Sequence, residues 1–134
     1  PSDSAKGIEP VRIGVDHRLA VLDLVGLLEM SEENFRQRFR GSPILRAKRV
    51  GLQRNACVAL GNLRDPVAVL PLRRALLEAD PLVRGHAAWA LGQIGTPEAG
   101  KALKQARRDE TDSLVLGEIT GAQQDLRDAE PVLG

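Results

Sequence analysis

From Asp16 onward the hydrophobic positions recur with helical spacing. Val21, Leu24, Val25 and Leu28 fall at i, i+3, i+4 and i+7 and line one face of a helix. Ser31 then reads as the N-cap of a short helix in which Phe35 and Phe39 stack four residues apart. Gly41-Ser42-Pro43 ends that helix and opens the next. Residues 1–15 mix Pro, Gly, Ser and charge without a period. The expected organisation is therefore a linker or tail over 1–15, an N-terminal helical segment over 16–41, and a repeat domain over 42–134.

The repeat is written in the chain itself. The run Ala56-Cys57-Val58-Ala59-Leu60-Gly61-Asn62-Leu63-Arg64-Asp65-Pro66 returns 31 residues later as Ala87-Ala88-Trp89-Ala90-Leu91-Gly92-Gln93-Ile94-Gly95-Thr96-Pro97. The match continues into the next helix, where Ala68, Leu72 and Ala75 correspond to Ala99, Leu103 and Ala106. Each unit holds two helices. A period of this length with two helices per unit predicts an all-α solenoid, because each unit can bury its apolar face only against a neighbour. Two copies are clear. A third, from about Asp112 to Gln124 (Leu114, Leu116, Ile119), is degenerate, as a terminal unit should be.

The punctuation between helices follows backbone chemistry. Asp65, Asp80 and Thr96 each precede a proline, so each can cap a helix whose first position needs no N–H. Gly61 and Gly92 stand where adjoining helices must approach closely or where a last turn unwinds. Pro71 would fall inside the first repeat's second helix, which predicts either a kink or a helix that begins nearer Val69.

Charge is unevenly distributed. The net charge is only +1, so affinity for a polyanion would depend on where the cations lie. Between Glu33 and Asp65 there is no acidic residue, yet Arg36, Arg38, Arg40, Arg46, Lys48, Arg49, Arg54 and Arg64 fall there, eight of the nineteen basic residues. A solvated helix face normally mixes signs, since like charges at i,i+4 are destabilising. Uncompensated cations over one helix and the first repeat point to an anionic partner, either a phosphate backbone or an acidic surface of another domain. Lys48, Asn55 and Asn62 are spaced by sevens on one stripe, and the repeat places His86 beside Asn55 and Gln93 beside Asn62. That polar row can bond phosphates, sugars or base edges, or can simply cap helix ends and bridge repeats. Phe35 and Phe39 are core residues by spacing, so recognition of backbone and shape is expected rather than base stacking.

Little else in the chain carries chemistry. Cys57 is the only cysteine, which excludes an internal disulfide or a complete cysteine ligand set within this chain, and its apolar run suits a small core residue. His17 and His86 lie far apart, with no Cys or carboxylate at metal-ligand spacing. Neither a catalytic group nor a metal site is expected in this chain. No apolar run reaches the ~20 residues of a membrane span, and no secretory leader pattern is seen. The expectation is a monomeric, cytoplasmic protein without membrane contact. It begins at Pro1 with no Met, as a piece of a longer chain would.

The run Phe35-Arg36-Gln37-Arg38-Phe39-Arg40-Gly41-Ser42-Pro43-Ile44-Leu45-Arg46-Ala47-Lys48-Arg49, continued by Gly51-Leu52-Gln53-Arg54-Asn55-Ala56-Cys57-Val58-Ala59-Leu60-Gly61-Asn62, resembles the C-terminal part of epoxyqueuosine reductases. There a similar segment leads into HEAT-like repeats. Asp80-Pro81-Leu82-Val83-Arg84-Gly85-His86-Ala87-Ala88-Trp89 resembles the family too, and the likeness runs from about Leu22 to Arg108. It implies a HEAT-like α-solenoid that binds tRNA within an oxidoreductase of queuosine tRNA modification. The family's cobalamin and two [4Fe–4S] clusters are implied for upstream domains, which would be partners of this one, and not for this chain. By the same resemblance Arg38, Arg40, Arg46, Lys48, Arg49 and Arg54 are expected on tRNA phosphates. Asn55 joins them, or instead seats the domain against the cluster domain. Asn62, Arg84, His86 and Gln93 are further polar contacts. The rival expectation is a scaffold for protein–protein interaction.

Overall fold

The computed structural model describes residues 16–40, 45–78 and 80–129, with only the backbone of Leu45 and Arg46. The expected tail over 1–15 and the Gly41-Ser42-Pro43 break lie outside the described residues. The described residues are helical and contain no strand. Helix α1 covers 16–28, followed by α2 (Glu32–Arg38), α3 (Leu45–Leu63), a 3₁₀ turn (Pro66–Ala68) and α4 (Val69–Ala75). Then come α5 (Pro81–Ile94), α6 (Pro97–Asp109) and α7 (Ser113–Ala129).

The caps behave as the dipeptides predict. Asp65 accepts from the Val67 N–H, Asp80 from that of Leu82, and Thr96 from that of Ala99, each ahead of a proline in the first turn. Ser31 caps α2 by accepting from Asn34, and Asp112 caps α7 by accepting from Leu114 and Val115. Pro71 causes no kink. The 3₁₀ turn takes up Pro66–Ala68 and α4 starts at Val69, so Pro71 sits in the first turn, where an N–H would have no partner. Helix α5 ends on Gly95 in the left-handed region at φ 74°. The equivalent position one repeat earlier is Arg64, the only non-glycine with positive φ (56°) among the described residues.

The helices form two layers. In one, α5 packs between α3 and α7. The other contains α4 and α6, side by side and parallel: Pro66 and Val67 ahead of α4 lie near Thr96 and Glu98 at the start of α6, and Arg73 further along α4 reaches Gln105 further along α6 at 3.1 Å. Helix α1 extends this second layer by one unit. His17 lies 3.1 Å from Asp65 at the start of the α4 segment, and Glu29 pairs with Arg74 at its end, at 2.5 Å. Val21 and Leu28 of α1 belong to the same buried core as Leu60, Leu72, Leu91 and Leu103. The N-terminal segment and the repeats therefore share one core.

Small residues set the spacing of the first layer. A Cβ on Gly61 would lie 2.6 Å from Cζ3 of Trp89 and 3.0 Å from Cα of Ala90; one on Gly92 would lie 2.7 Å from Cβ of Ala122 and 2.9 Å from its Cα. The repeated glycine is thus the point of closest approach, first between α3 and α5, then between α5 and α7.

Candidate nucleic-acid interface

Helix α3 carries basic residues and no acidic ones, and its buried positions fix what it shows to solvent. Gln53, Ala56, Cys57, Leu60 and Gly61 face inward, leaving Lys48, Asn55 and Asn62 exposed on one outer stripe. The Arg54 side chain folds back along that stripe: its Nε donates to Oδ1 of Asn55 at 3.3 Å, and one terminal nitrogen lies over Gly51. Lys48, Arg54 and Asn55 consequently share a surface. Arg64 continues it at the helix end, donating to Gln93 at 3.4 Å, and Gln93 in turn reaches Asp125 of α7. Arg64, Gln93 and Asp125 thus form a polar rim across the ends of three helices, and Asn62 is exposed near the end of α3.

The remaining cations divide. Arg38 at the end of α2 and Arg40 just beyond it are exposed, with Arg38 stacked 5.6 Å above the Phe39 ring, while Arg36 of α2 is paired with Glu32 at 3.6 Å. Phe35 is buried, and its ring centroid lies 4.4 Å from that of Phe39. Among the described residues no carboxylate is within salt-bridge range of Arg38, Arg40, Lys48, Arg49 or Arg54. The side chain of Arg46 lies outside the description.

Besides Gln93, three expected contact residues are engaged within the fold. Arg49 turns inward, and its Nε and Nη2 both donate to the carbonyl of Met30 at 3.3 Å. Arg84 departs furthest from the expected surface role. Its guanidinium donates to both oxygens of Glu110, at 2.8 and 3.0 Å, and to the Glu78 carbonyl at 2.9 Å, with the pair largely shielded from solvent. That bond, above all, holds the Glu110 carboxyl below the usual carboxylate range. His86 is half-buried, with Nδ1 2.8 Å from the Leu82 carbonyl, which makes Nδ1 the donor and leaves Nε2 turned away from that bond.

The sequence reading missed Gln53. It is buried, its Nε2 donates to the Leu28 carbonyl at 3.0 Å, and its Oε1 finds no partner among the described residues. With Arg49 it ties the end of α1 to α3. A polar residue at a position that the helix period turns inward was the available signal.

No group of three metal-ligating side chains occurs among the described residues. The single cysteine does not suit an iron–sulfur cluster: Cys57 is buried, and burial, helped by the charge of Glu78, pushes its thiol up to about 12. No helix among the described residues is long and apolar enough to cross a membrane.

Stacked two-helix units with a repeated close-approach glycine define a class of protein. Residues 43–122 match the family of HEAT repeats, and the chain belongs to it. More particularly, the chain is similar to epoxyqueuosine reductases. It is 38% identical over 107 residues to that of Bacillus subtilis, covering 78% of this chain and 27% of that protein. To the enzyme of Bacillus anthracis it is 37% identical over 98 residues, or 72% and 26% of the two. A crystal structure of epoxyqueuosine reductase with a tRNA-Tyr epoxyqueuosine-modified tRNA stem loop superposes with a TM-score of 0.68 at 32% identity, over 78% of this chain and 28% of that one. The chain spans about a quarter of the length of these relatives.

Proposed function

We propose that this chain is the tRNA-binding HEAT-repeat domain of an epoxyqueuosine reductase in queuosine tRNA modification, contributing no catalytic group of its own. The carrying observation is the outer stripe of α3, where Lys48, Arg54 and Asn55 stand together with no carboxylate of the described residues in pairing range. A relative solved with a tRNA stem loop supports it. Lys48 and Arg54 would contact phosphates, with Arg38 and Arg40 extending the track, while Asn55 and Asn62 would offer hydrogen bonds to sugar or base edges. Reduction would take place elsewhere in the parent enzyme, in the cytoplasm, on cobalamin and iron–sulfur clusters held by other segments.

Titration with a tRNA anticodon stem loop at two salt concentrations tests this reading. Affinity should fall with salt, log K losing roughly 0.7–0.9 per phosphate neutralised for each tenfold rise in salt. Reversing Lys48 and Arg54 to Glu should abolish binding while the helical circular dichroism is kept. Arg49 is unsuitable for that test, since its reversal would also break the Met30 contact. Binding that ignores both salt and reversal would refute the proposal.

A protein-interaction scaffold is the second reading. The exposure of Leu19 and Leu22 on α1, at 52% and 56%, favours it, because a solenoid end facing only water is ordinarily polar. Capture of a protein partner that nuclease treatment leaves unchanged would support it.

A further inference from the structure

The first layer changes sign along its stack. Helix α3 carries Arg46, Lys48, Arg49 and Arg54 with no acid, whereas residues 112–129 carry Asp112, Glu118, Asp125 and Asp128 against Arg127 alone. At the acidic end an open groove of about 570 Å³ runs between α5 and α7, within the range of roughly 300–1,000 Å³ usual for concave binding sites. Val58, Trp89 and Val115 line it with apolar surface, and Leu82 and Leu114 rise at its edges, 42% and 81% exposed. Glu118 lies on the α7 side, its Cγ 3.5 Å from where a Cβ of Gly85 would be, so α5 and α7 are within ordinary contact distance at that point of the groove.

Apolar surface beside carboxylates selects the occupant. Glu118 has no hydrogen-bond or salt-bridge partner among the described residues, and an RNA phosphate brought beside it would be repelled. A leucine-like anchor flanked by Lys or Arg would instead bury its apolar side chain against Trp89 and Val115 and set its cation against Glu118. We propose that the α5–α7 groove is a docking site for a short peptide segment of another protein or domain, in which an apolar anchor is flanked by basic residues. The groove adjoins α3, since Val58 lines it together with His86 of α5, but its lining holds none of the α3 cations and the proposal does not depend on the RNA reading.

The groove contains its own reporter. Trp89 is the only tryptophan and the chain has no tyrosine, so emission excited at the indole band comes from this groove alone. The probes are a short synthetic amphipathic peptide of leucine and lysine and its counterpart of leucine and glutamate. The leucine–lysine peptide should shift Trp89 emission saturably, while the leucine–glutamate peptide should leave it unchanged. Glu118→Lys should weaken the response at least tenfold, and Leu114→Ser, at an exposed edge outside the buried core, should weaken it as well. Equal binding of both peptides, or indifference to both substitutions, would overturn the proposal. So would a tRNA stem loop that itself shifts Trp89 emission and displaces the basic peptide, because the groove would then belong to a nucleic-acid surface.

Discussion

Arg84 and Glu110 join the end of α4, the start of α5 and the end of α6 by one shielded bidentate ion pair. Glu110→Gln takes the charge out of this pair while Arg84 keeps its bond to the Glu78 carbonyl, so it should cost about 1–3 kcal/mol in urea unfolding. The pH dependence follows from the direction of the shift. The folded Glu110 carboxyl titrates below its unfolded value of about 4.3, so the stabilisation is fully present above that pH and is lost as pH falls through the lowered folded value. Asp65 acts in the same sense, its carboxyl lowered chiefly by the Val67 N–H. The urea midpoint should therefore drop below about pH 4, and less steeply in Glu110→Gln; an equal slope in both proteins would refute the assignment. Cys57, pushed up to about 12 and buried, should resist a disulfide reagent at pH 8 until urea unfolds the chain. Rapid labelling of the native protein would contradict that burial. The sequence suggested Cys57 as core from its apolar neighbours, yet gave no sign of the Arg84–Glu110 bond. That pairing joins residues 26 apart and depends on where α6 ends.

Among elements, glycines of identical helix propensity should respond oppositely to the same substitution. An exposed Gly→Ala in a helix gains about 0.5–1 kcal/mol, and Gly117 and Gly121 on α7 have nothing within 4 Å of an added Cβ. Alanine at either should raise the melting temperature. At Gly61 or Gly92 the new methyl would press on the backbone of Ala90 or Ala122, and overpacking of that kind costs about 1–3 kcal/mol, which exceeds the propensity gain. Melting curves of the four single variants decide it; a stabilised Gly61→Ala would mean that α3 and α5 can separate freely. The helix starts were readable because an N-cap and the proline beside it act within one turn. The start of α4 at Val69 followed from Pro71 only as one of two alternatives, the other being a kink, and the 3₁₀ turn that precedes it was not foreseen.

For the molecule as a whole, α1 is an added half-unit of the stack. It supplies Val21 and Leu28 to the common core and a carbonyl to Gln53. A chain begun at residue 43, where the match to the HEAT family starts, would expose that core and strand Gln53 and Arg49. It should unfold at lower temperature and with a broader transition than the full chain, as followed by circular dichroism. An unchanged, equally sharp transition would show that α1 is dispensable. The reversal of sign from α3 to α7 is also a property of this scale, because it arises only when helices far apart in the chain lie in one layer.

Periodicity, proline–cap pairs and the 31-residue repeat determined the helices, their order and the solenoid, since each acts over a few residues or through copies of one unit. The concentration of cations before Asp65 was equally plain. Only the tertiary structure decided which cations remain at the surface. Lys48 and Arg54 stay outside while Arg49 and Arg84 are drawn onto backbone carbonyls and Glu110. Helical spacing assigns a side chain to a face of its own helix; what lies against that face depends on neighbours brought close by the packing of separate elements.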